Sequence, residues 1–434
     1  MIKKIILISS LIVLFSCSQK EGCMNETACN FSSIADVDNG NCFDCFNNDC
    51  SSYPNEAFDC LGECILDENN DGICDNLEKI FVATQGFDQI NILTSIDGEL
   101  KEDEEIISVN LNENIMDTPH FIEIDKVNNV WFVTLMNTGN VLMYNLDSNE
   151  KLSEIMVGEM PALMVHDPSH QRLYISRMMT MNGMEGSSSN KIQVLDYSSG
   201  YLIEFNEFDL PSPAPHGLDL SDDGLFLFVA SNTTDWVYKI NTESGNVINE
   251  VFLPSPESPF GPDEINYLKP IQIRYYNNRI FISCSAGKFY NGDTTENIPG
   301  KIMVLDAGDL SFITQYQFDW SSSPWHLTID ENSSDIFVAL SGDIGSEGSA
   351  GVASLSFDSD QLSLNWENTG NEFSLCHGIS VSTISEQIYV TSRGNGKLHL
   401  LDRNSGELSQ SIVINSLQQG MTGAMLGGVA IYGL

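Results

Sequence analysis

The chain has 434 residues, of which 61 are acidic and 19 basic, for a formal charge of −42. That charge excludes a nucleic-acid binder working through phosphate contacts, which needs Lys and Arg to displace counterions, and docking on anionic lipid through a basic face. With 42% hydrophobic and 9% aromatic residues the chain can bury a core, and its length allows two or three domains or one large repeat domain.

The first residues read as an address. Lys3 and Lys4 precede an apolar run from Ile5 to Phe15, too short to span a bilayer as a mature helix. The run ends in Leu14-Phe15-Ser16-Cys17. This stretch resembles a bacterial lipoprotein signal; an ordinary secretory signal is the alternative. The resemblance implies that residues 1–16 are removed, that Cys17 is lipidated, and that acyl chains hold the protein on a membrane, each buried CH₂ adding ~0.8 kcal/mol. Ser18 follows Cys17 where an Asp would resemble an inner-membrane retention signal. The expected location is therefore the outer membrane of a Gram-negative bacterium, exposed at the cell surface.

Residues 17–78 form a Cys-rich spacer. Cys23, Cys29, Cys42, Cys45, Cys50, Cys60, Cys64 and Cys74 lie in this one stretch. An even count in a short exported segment reads as a disulfide framework, with the pairing left open. Zinc is the competing reading, because Cys42-x-x-Cys45 has ligand spacing, but His partners are missing. Segment 22–42 resembles short Cys-bounded repeats of surface proteins in Gram-negative bacteria. Segment 67–78 places Asp67, Asn69, Asp71, Asp75 and Glu78 at positions 1, 3, 5, 9 and 12 of a twelve-residue loop, with Gly72 at the sharp turn and the Ile73 carbonyl at position 7. Ca²⁺ takes six to eight oxygen ligands, and this spacing converges them. The loop resembles EF-hand and thrombospondin-type calcium loops, closer to the second kind because long flanking helices are absent. A structural calcium is expected; a solvated acidic turn is the alternative.

From Ile80 onward one pattern recurs. Short apolar tetrads begin at Phe81, Phe132, Tyr174, Phe228, Phe281, Phe337 and Tyr389. Alternating segments such as Lys191–Asp196 and Lys301–Asp306 follow, then turns such as Ser199-Gly200, Ser244-Gly245 and Ser405-Gly406. Alternation predicts half-buried strands, and four strands every ~40–50 residues is a propeller period. The chain here resembles the YVTN-type seven-bladed propellers, named for the tetrad. The fold class expected is therefore all-β: a seven-bladed β-propeller over residues 79–434, preceded by a small disulfide-rich segment. The first tetrad lacks an inner strand before it, and Gly427–Tyr432 reads as an inner strand with no tetrad after it. The C-terminal strand is thus expected to complete the first blade.

Function should sit where inner strands begin, around the central channel. A fourteen-residue step runs from a Pro, or its equivalent, into the tetrad strand: Pro119 to Val133, Pro215 to Val229, Cys376 to Val390. The next position is then His120, Ala162, His216, Lys269, Trp325, His377 and Gly427, and His326 follows Trp325. Imidazole suits copper and zinc, so converging His side chains make an N-rich metal site one reading. The ring resembles in part nitrous oxide reductase, a propeller with a His-lined copper centre at this place, but has fewer His, with Lys269 and Trp325 where ligands would be needed. A non-metal ligand pocket and a merely wet channel are the other readings. Arg177 and Arg393, at or after their tetrads, are expected to make the same mouth basic and draw an anionic ligand.

Loops 177–190, 284–300 and 340–351 should rim that face. Met178, Met179, Met181 and Met184 in the first offer adaptable contact surface or Cu(I) thioethers. Phe289, Tyr290 and Asp293 in the second could contact a sugar or peptide. The sequence has no Gly-x-Ser-x-Gly, His-Glu-x-x-His or phosphate-cradling loop. A lactonase-type hydrolase would hold a channel metal with Glu, Asp and Asn, where this ring offers His. Binding of a small molecule, glycan or protein by the upper face without catalysis is the first expectation. A His-ligated copper or zinc protein, even an oxidoreductase, is the second, and a structural envelope protein the third.

Overall fold

The computed structural model describes residues 21–22, 37–38, 76–111, 115–158, 160–178, 189–253, 268–291, 294–414 and 424–433. The signal 1–16, Cys17, the eight spacer cysteines, Asp67, Asn69, Asp71, Ile73 and Asp75, and the loop residues Met179, Met181, Met184 and Asp293 lie outside them. Residues 76–433 form one compact unit, separate from the unit that holds the first 75 residues.

That unit is a seven-bladed propeller of seven four-stranded antiparallel sheets. Each apolar tetrad falls in the second strand of its blade, and the second and third strands are sandwiched between neighbouring blades. Val130–Leu135 in blade 2 is accordingly buried at every residue. The outermost strands touch neighbours less, so Leu408–Val413 alternates between half-buried and exposed. The tetrad aromatics pack between blades: Phe228 of blade 4 clusters with Ile273 and Ile280 of blade 5. The loop 284–300 carries more structure than the sequence indicated, a hairpin of Gly287–Asn291 with Thr294–Ile298.

The C-terminal strand Leu426–Gly433 pairs with Leu77–Thr84, register Val429 to Val82, and is the inner strand of blade 1. The last strand of the chain thus closes the ring, as expected. The first propeller strand starts two residues before the expected boundary at 79, and Glu78 lies within it. This corrects its reading as a calcium ligand. Glu78 is 1% exposed. Its carboxylate accepts hydrogen bonds from Ser382 Oγ (2.5 Å), Ser385 Oγ (3.0 Å) and Tyr389 OH (3.0 Å) of blade 7. Strand pairing carries the twelfth loop position into the ring.

Every inner strand begins with the same backbone device. The residue before it is left-handed: Thr118, Met160, Ala214, Lys269, Ser323, Leu375 and Met425 have φ of 60°, 45°, 56°, 51°, 47°, 52° and 48°. Such a conformation costs a non-Gly residue about 1–2 kcal/mol, so it needs bracing. Asp88 Oδ1 accepts the N–H groups of Asp117 (2.9 Å) and Thr118 (2.8 Å), and Asp235 accepts those of Leu268 (2.8 Å) and Lys269 (2.9 Å). A bulge follows. Pro119 opposes Leu135 and Ile122 opposes Val133, so His120 and Phe121 together face Thr134.

The bulge leaves a backbone N–H without a ladder partner, and in blades 2, 3, 5 and 7 the hydroxyl of the third tetrad residue supplies one. Thr134 Oγ1 accepts from the Phe121 N–H (3.2 Å) and donates to the Ala162 carbonyl of the next blade (2.9 Å). Thr391 does the same for the Gly378 N–H and the Gly427 carbonyl, both at 2.7 Å. Gly378 has to be Gly, since a Cβ there would lie 2.7 Å from Val429 N and 2.8 Å from Gly427 O.

Candidate functional site in the central channel

The bulges turn the residue after each strand-opening Pro, or after Cys376 and Leu426 in blades 7 and 1, toward the propeller axis. By register these residues are His120, Ala162, His216, Ile271, Trp325, His377 and Gly427. One assignment is corrected. Lys269 is the left-handed residue before Pro270, and Ile271 holds its expected place. The cause is the turn between the first two strands of blade 5. Asn277 and Asn278 have φ of 49° and 58°, the signature of a two-residue type I′ hairpin. That turn shortens the blade, so a fixed step lands short of the Pro.

Four of the expected His side chains come together. Ring centroids are 4.7 Å apart for His326–His377, 5.1 Å for His120–His377, 6.3 Å for His120–His216 and 6.5 Å for His120–His326, all edge-to-face. Trp325 lies 5.6 Å from His377. Exposures are 5%, 4%, 2% and 5% for His120, His216, His326 and His377. Burial holds His120 down to about 3, helped by the charges of His216 and Arg393, and His216 down to about 4. Burial and the neighbouring imidazoles hold His326 and His377 well below the usual range. All four are neutral at pH 7.

Two tautomers follow from hydrogen bonding. Arg393, which can only donate, donates to Gln85 Oε1. The Gln85 amide nitrogen therefore faces His120 Nδ1 at 2.6 Å and donates to it. His120 thus carries its proton on Nε2, which has no partner. His216 is the reverse. Its Nδ1 lies 2.6 Å from the Ile271 carbonyl and must donate, leaving Nε2 as a lone pair. Blade 4 has Ala230 where blades 2, 3, 5 and 7 have the tetrad hydroxyl, and the imidazole takes the carbonyl that a hydroxyl would bind. His326 Nε2, His377 Nδ1 and the Trp325 indole N–H are also buried without partners. Among the described residues no group of three His, Cys, Asp or Glu side chains is arranged to hold a metal ion.

Arg393 thus reaches the cluster through Gln85, which sequence reasoning missed. Arg177 does not face the channel, which corrects its expected role. It pairs with Glu207 and donates to Gln193 Oε1 at 3.4 Å within blade 3. His166, His170 and His399 lie elsewhere, bonded to Glu123, Asp167 and Ser411. Cys284 and Cys376 are both buried and free. Phe289 and Tyr290 fall in the inserted hairpin.

Below the cluster the channel opens into a cavity of about 180 Å³ bounded by Gln272, Arg274 and His326. A second cavity of about 350 Å³ shares Arg274 and Glu123 with it and is lined further by Asp219, Asp222 and Glu331. Neither Gln272 nor Arg274 was signalled by the sequence, because both lie beyond the ring position on an inner strand.

This geometry defines a seven-bladed propeller with an imidazole-lined axis. No family model and no curated protein matches the sequence. Solved structures share the fold. The periplasmic gluconolactonase of Pseudomonas aeruginosa superposes with a TM-score of 0.62 at 14% identity, covering 82% of this chain and 99% of that one. A candidate 6-phosphogluconolactonase of Bacteroides fragilis gives 0.60 at 11% identity, covering 85% and 100%. Hydrazine synthase of Kuenenia stuttgartiensis gives 0.52 at 13% identity, covering 66% and 77%. At these identities the likeness is one of fold.

Proposed function

We propose that the protein is a cell-surface lipoprotein whose propeller binds a small polar ligand at the imidazole end of its channel without reacting with it. The observation that carries this reading is the set of partnerless ring nitrogens on His120, His326 and His377. A buried polar atom left unpaired costs about 1–3 kcal/mol, and three in one cluster call for a ligand that satisfies them. The lipid anchor on Cys17 and the disulfide-stapled spacer, with a calcium held from Asp67, Asn69, Asp71, Ile73 and Asp75, belong to the same proposal as the means of presentation. The neighbours' lactonase names transfer no reaction, since the imidazole end of the channel offers His side chains and no group of carboxylates among the described residues is arranged to hold a metal.

A second reading is favoured by His216. A metal-bound imidazole typically donates its other N–H to a carbonyl or carboxylate, as His216 does to Ile271. Copper or zinc at the cluster would then replace an organic ligand, with His120 changing tautomer. The two readings part on one experiment. The full-length protein is loaded with copper or zinc, dialysed and analysed for metal, beside the His216→Ala/His377→Ala variant. One transition metal per chain that disappears in the variant establishes the metal centre. No retained metal, with saturable stabilisation by neutral sugars or polyols that the variant loses, establishes the organic ligand. A variant and wild type that behave alike in both assays sink both.

A further inference from the structure

Arg274 is the anomaly of the channel. The chain has six arginines. Five have partners: Arg172 with Asp196, Arg177 with Glu207, Arg279 with Asp306, Arg393 with Gln85 and Arg403 with Asp330. Arg274, half-buried on the inner strand of blade 5, makes no ion pair or hydrogen bond among the described residues. This occurs in a chain with 61 acidic side chains, where carboxylates are plentiful.

Of the nearby carboxylates, Asp219 feels the Arg274 charge without forming an ion pair, and its oxygens, like Glu123 Oε1, are held by other groups. Glu123 Oε1 lies 2.8 Å from His166 Nδ1. Asp219 accepts the Tyr275 N–H at 2.7 Å and the Leu220 N–H at 2.9 Å. A guanidinium offers five N–H donors in a planar fork that matches the oxygens of a carboxylate or phosphate. A second, independent feature faces the same cavity. His326 is 2% exposed and its Nε2 has no partner. Gln272 also lines the space, and its Oε1 is fixed by the Leu327 N–H at 2.7 Å.

We infer that the axial cavity between Arg274 and His326 is a binding site for a small oxyanion, with the Arg274 guanidinium as the principal donor and the Nε2–H tautomer of His326 as the second. A volume of about 180 Å³ suits inorganic phosphate or a small organic carboxylate and excludes a peptide. The site shares His326 with the imidazole cluster but does not require that cluster to hold anything.

The test uses the full-length protein titrated with acetate, malonate and inorganic phosphate at constant ionic strength, with chloride as the balancing salt. Thermal midpoint and calorimetric heat are read together. The expected result is saturable binding of phosphate or of a carboxylate; the separate arms identify which oxyanion the site takes. Arg274→Gln weakens it at least tenfold, Arg274→Lys weakens it less, and His216→Ala/His377→Ala retains it. That last variant separates this inference from the proposed function. The inference is overturned by wild-type protein that binds none of the three anions saturably, or by Arg274→Gln binding as wild type does. Should Arg274→Gln fail to fold, the same comparison is made with Arg274→Lys, and affinity unchanged by that loss of the planar fork overturns it as well.

Discussion

Thr391 shows how one hydroxyl ties local and long-range structure together. It satisfies the bulge N–H of Gly378 and reaches the Gly427 carbonyl of the neighbouring blade. Thr391→Val keeps the shape and strands both groups, so a loss of about 1–3 kcal/mol is expected in urea unfolding; an unchanged midpoint would remove the hydroxyl from the account. Glu78 permits a sharper separation. Glu78→Gln should lower stability, because the buried carboxylate binds three hydroxyls, while leaving any calcium affinity of the spacer intact. Isothermal calcium titration beside urea melts reads both, and a calcium affinity that collapses in the variant would return Glu78 to the loop. The His residues of the cluster were legible in the sequence because they recur at one place in a repeat. Gln85, Gln272 and Arg274 were not, since each occurs in one blade only. Gln85 meets His120 and Arg393 across sequence separations of 35 and 308 residues.

At the scale of strands and turns, the sequence displayed the fold through periodicity. Seven apolar tetrads are buried on both faces by neighbouring blades, and that demand leaves a clear pattern. Turns obey other rules. The Asn277-Asn278 hairpin shortens blade 5 and displaced Lys269 from its expected register, because a type I′ turn changes length without changing any strand's pattern. The inserted Gly287–Asn291 and Thr294–Ile298 pair was equally hidden, since its strands pack in no blade. The closing strand gives the prediction for this scale. Deleting 426–433 removes the inner strand of blade 1 and exposes the edge of Leu77–Thr84. The product should lose cooperative thermal unfolding and aggregate; a sharp, wild-type-like transition would mean six and three-quarter blades suffice.

For the whole molecule, the cluster couples stability to acidity. An unfolded His titrates near 6.5. In the folded protein burial holds His120 to about 3 and His216 to about 4, with His326 and His377 well below their usual range. Between those limits the unfolded chain binds protons that the native chain refuses. Stability is therefore full above pH 6.5, falls as pH drops, and levels once the native imidazoles also charge. His166 acts in the opposite sense. Burial lowers it, but Glu123, Asp125 and Asp167 together raise it above its ordinary value, so its contribution is present at low pH and lost as pH rises. Buried Asp219, raised to about 6 chiefly by burial, opposes the lowered imidazoles in the same sense as His166, while His399, held by burial to about 4, adds a fifth lowered imidazole, and five outweigh two. Melting midpoints should drop between pH 6.5 and 5, above the range where most carboxylates titrate, and His216→Gln/His377→Gln should flatten the slope. A midpoint that does not move over that interval would place the imidazoles in water.

The pairing of Val82 with Val429 also sets an order of events for a chain that grows from its N-terminus. Blade 1 is begun first and completed last. Contacts between such distant residues form slowly, so the ring spends its assembly with one unpaired inner edge. A stalled or nicked product would hold six finished blades and a three-stranded remnant, the form that a holdase or a quality-control protease would meet. Folding of this ring is therefore complete only once Leu426–Gly433 has been made and has docked on Leu77–Thr84, so that strand reports that every blade before it is in place.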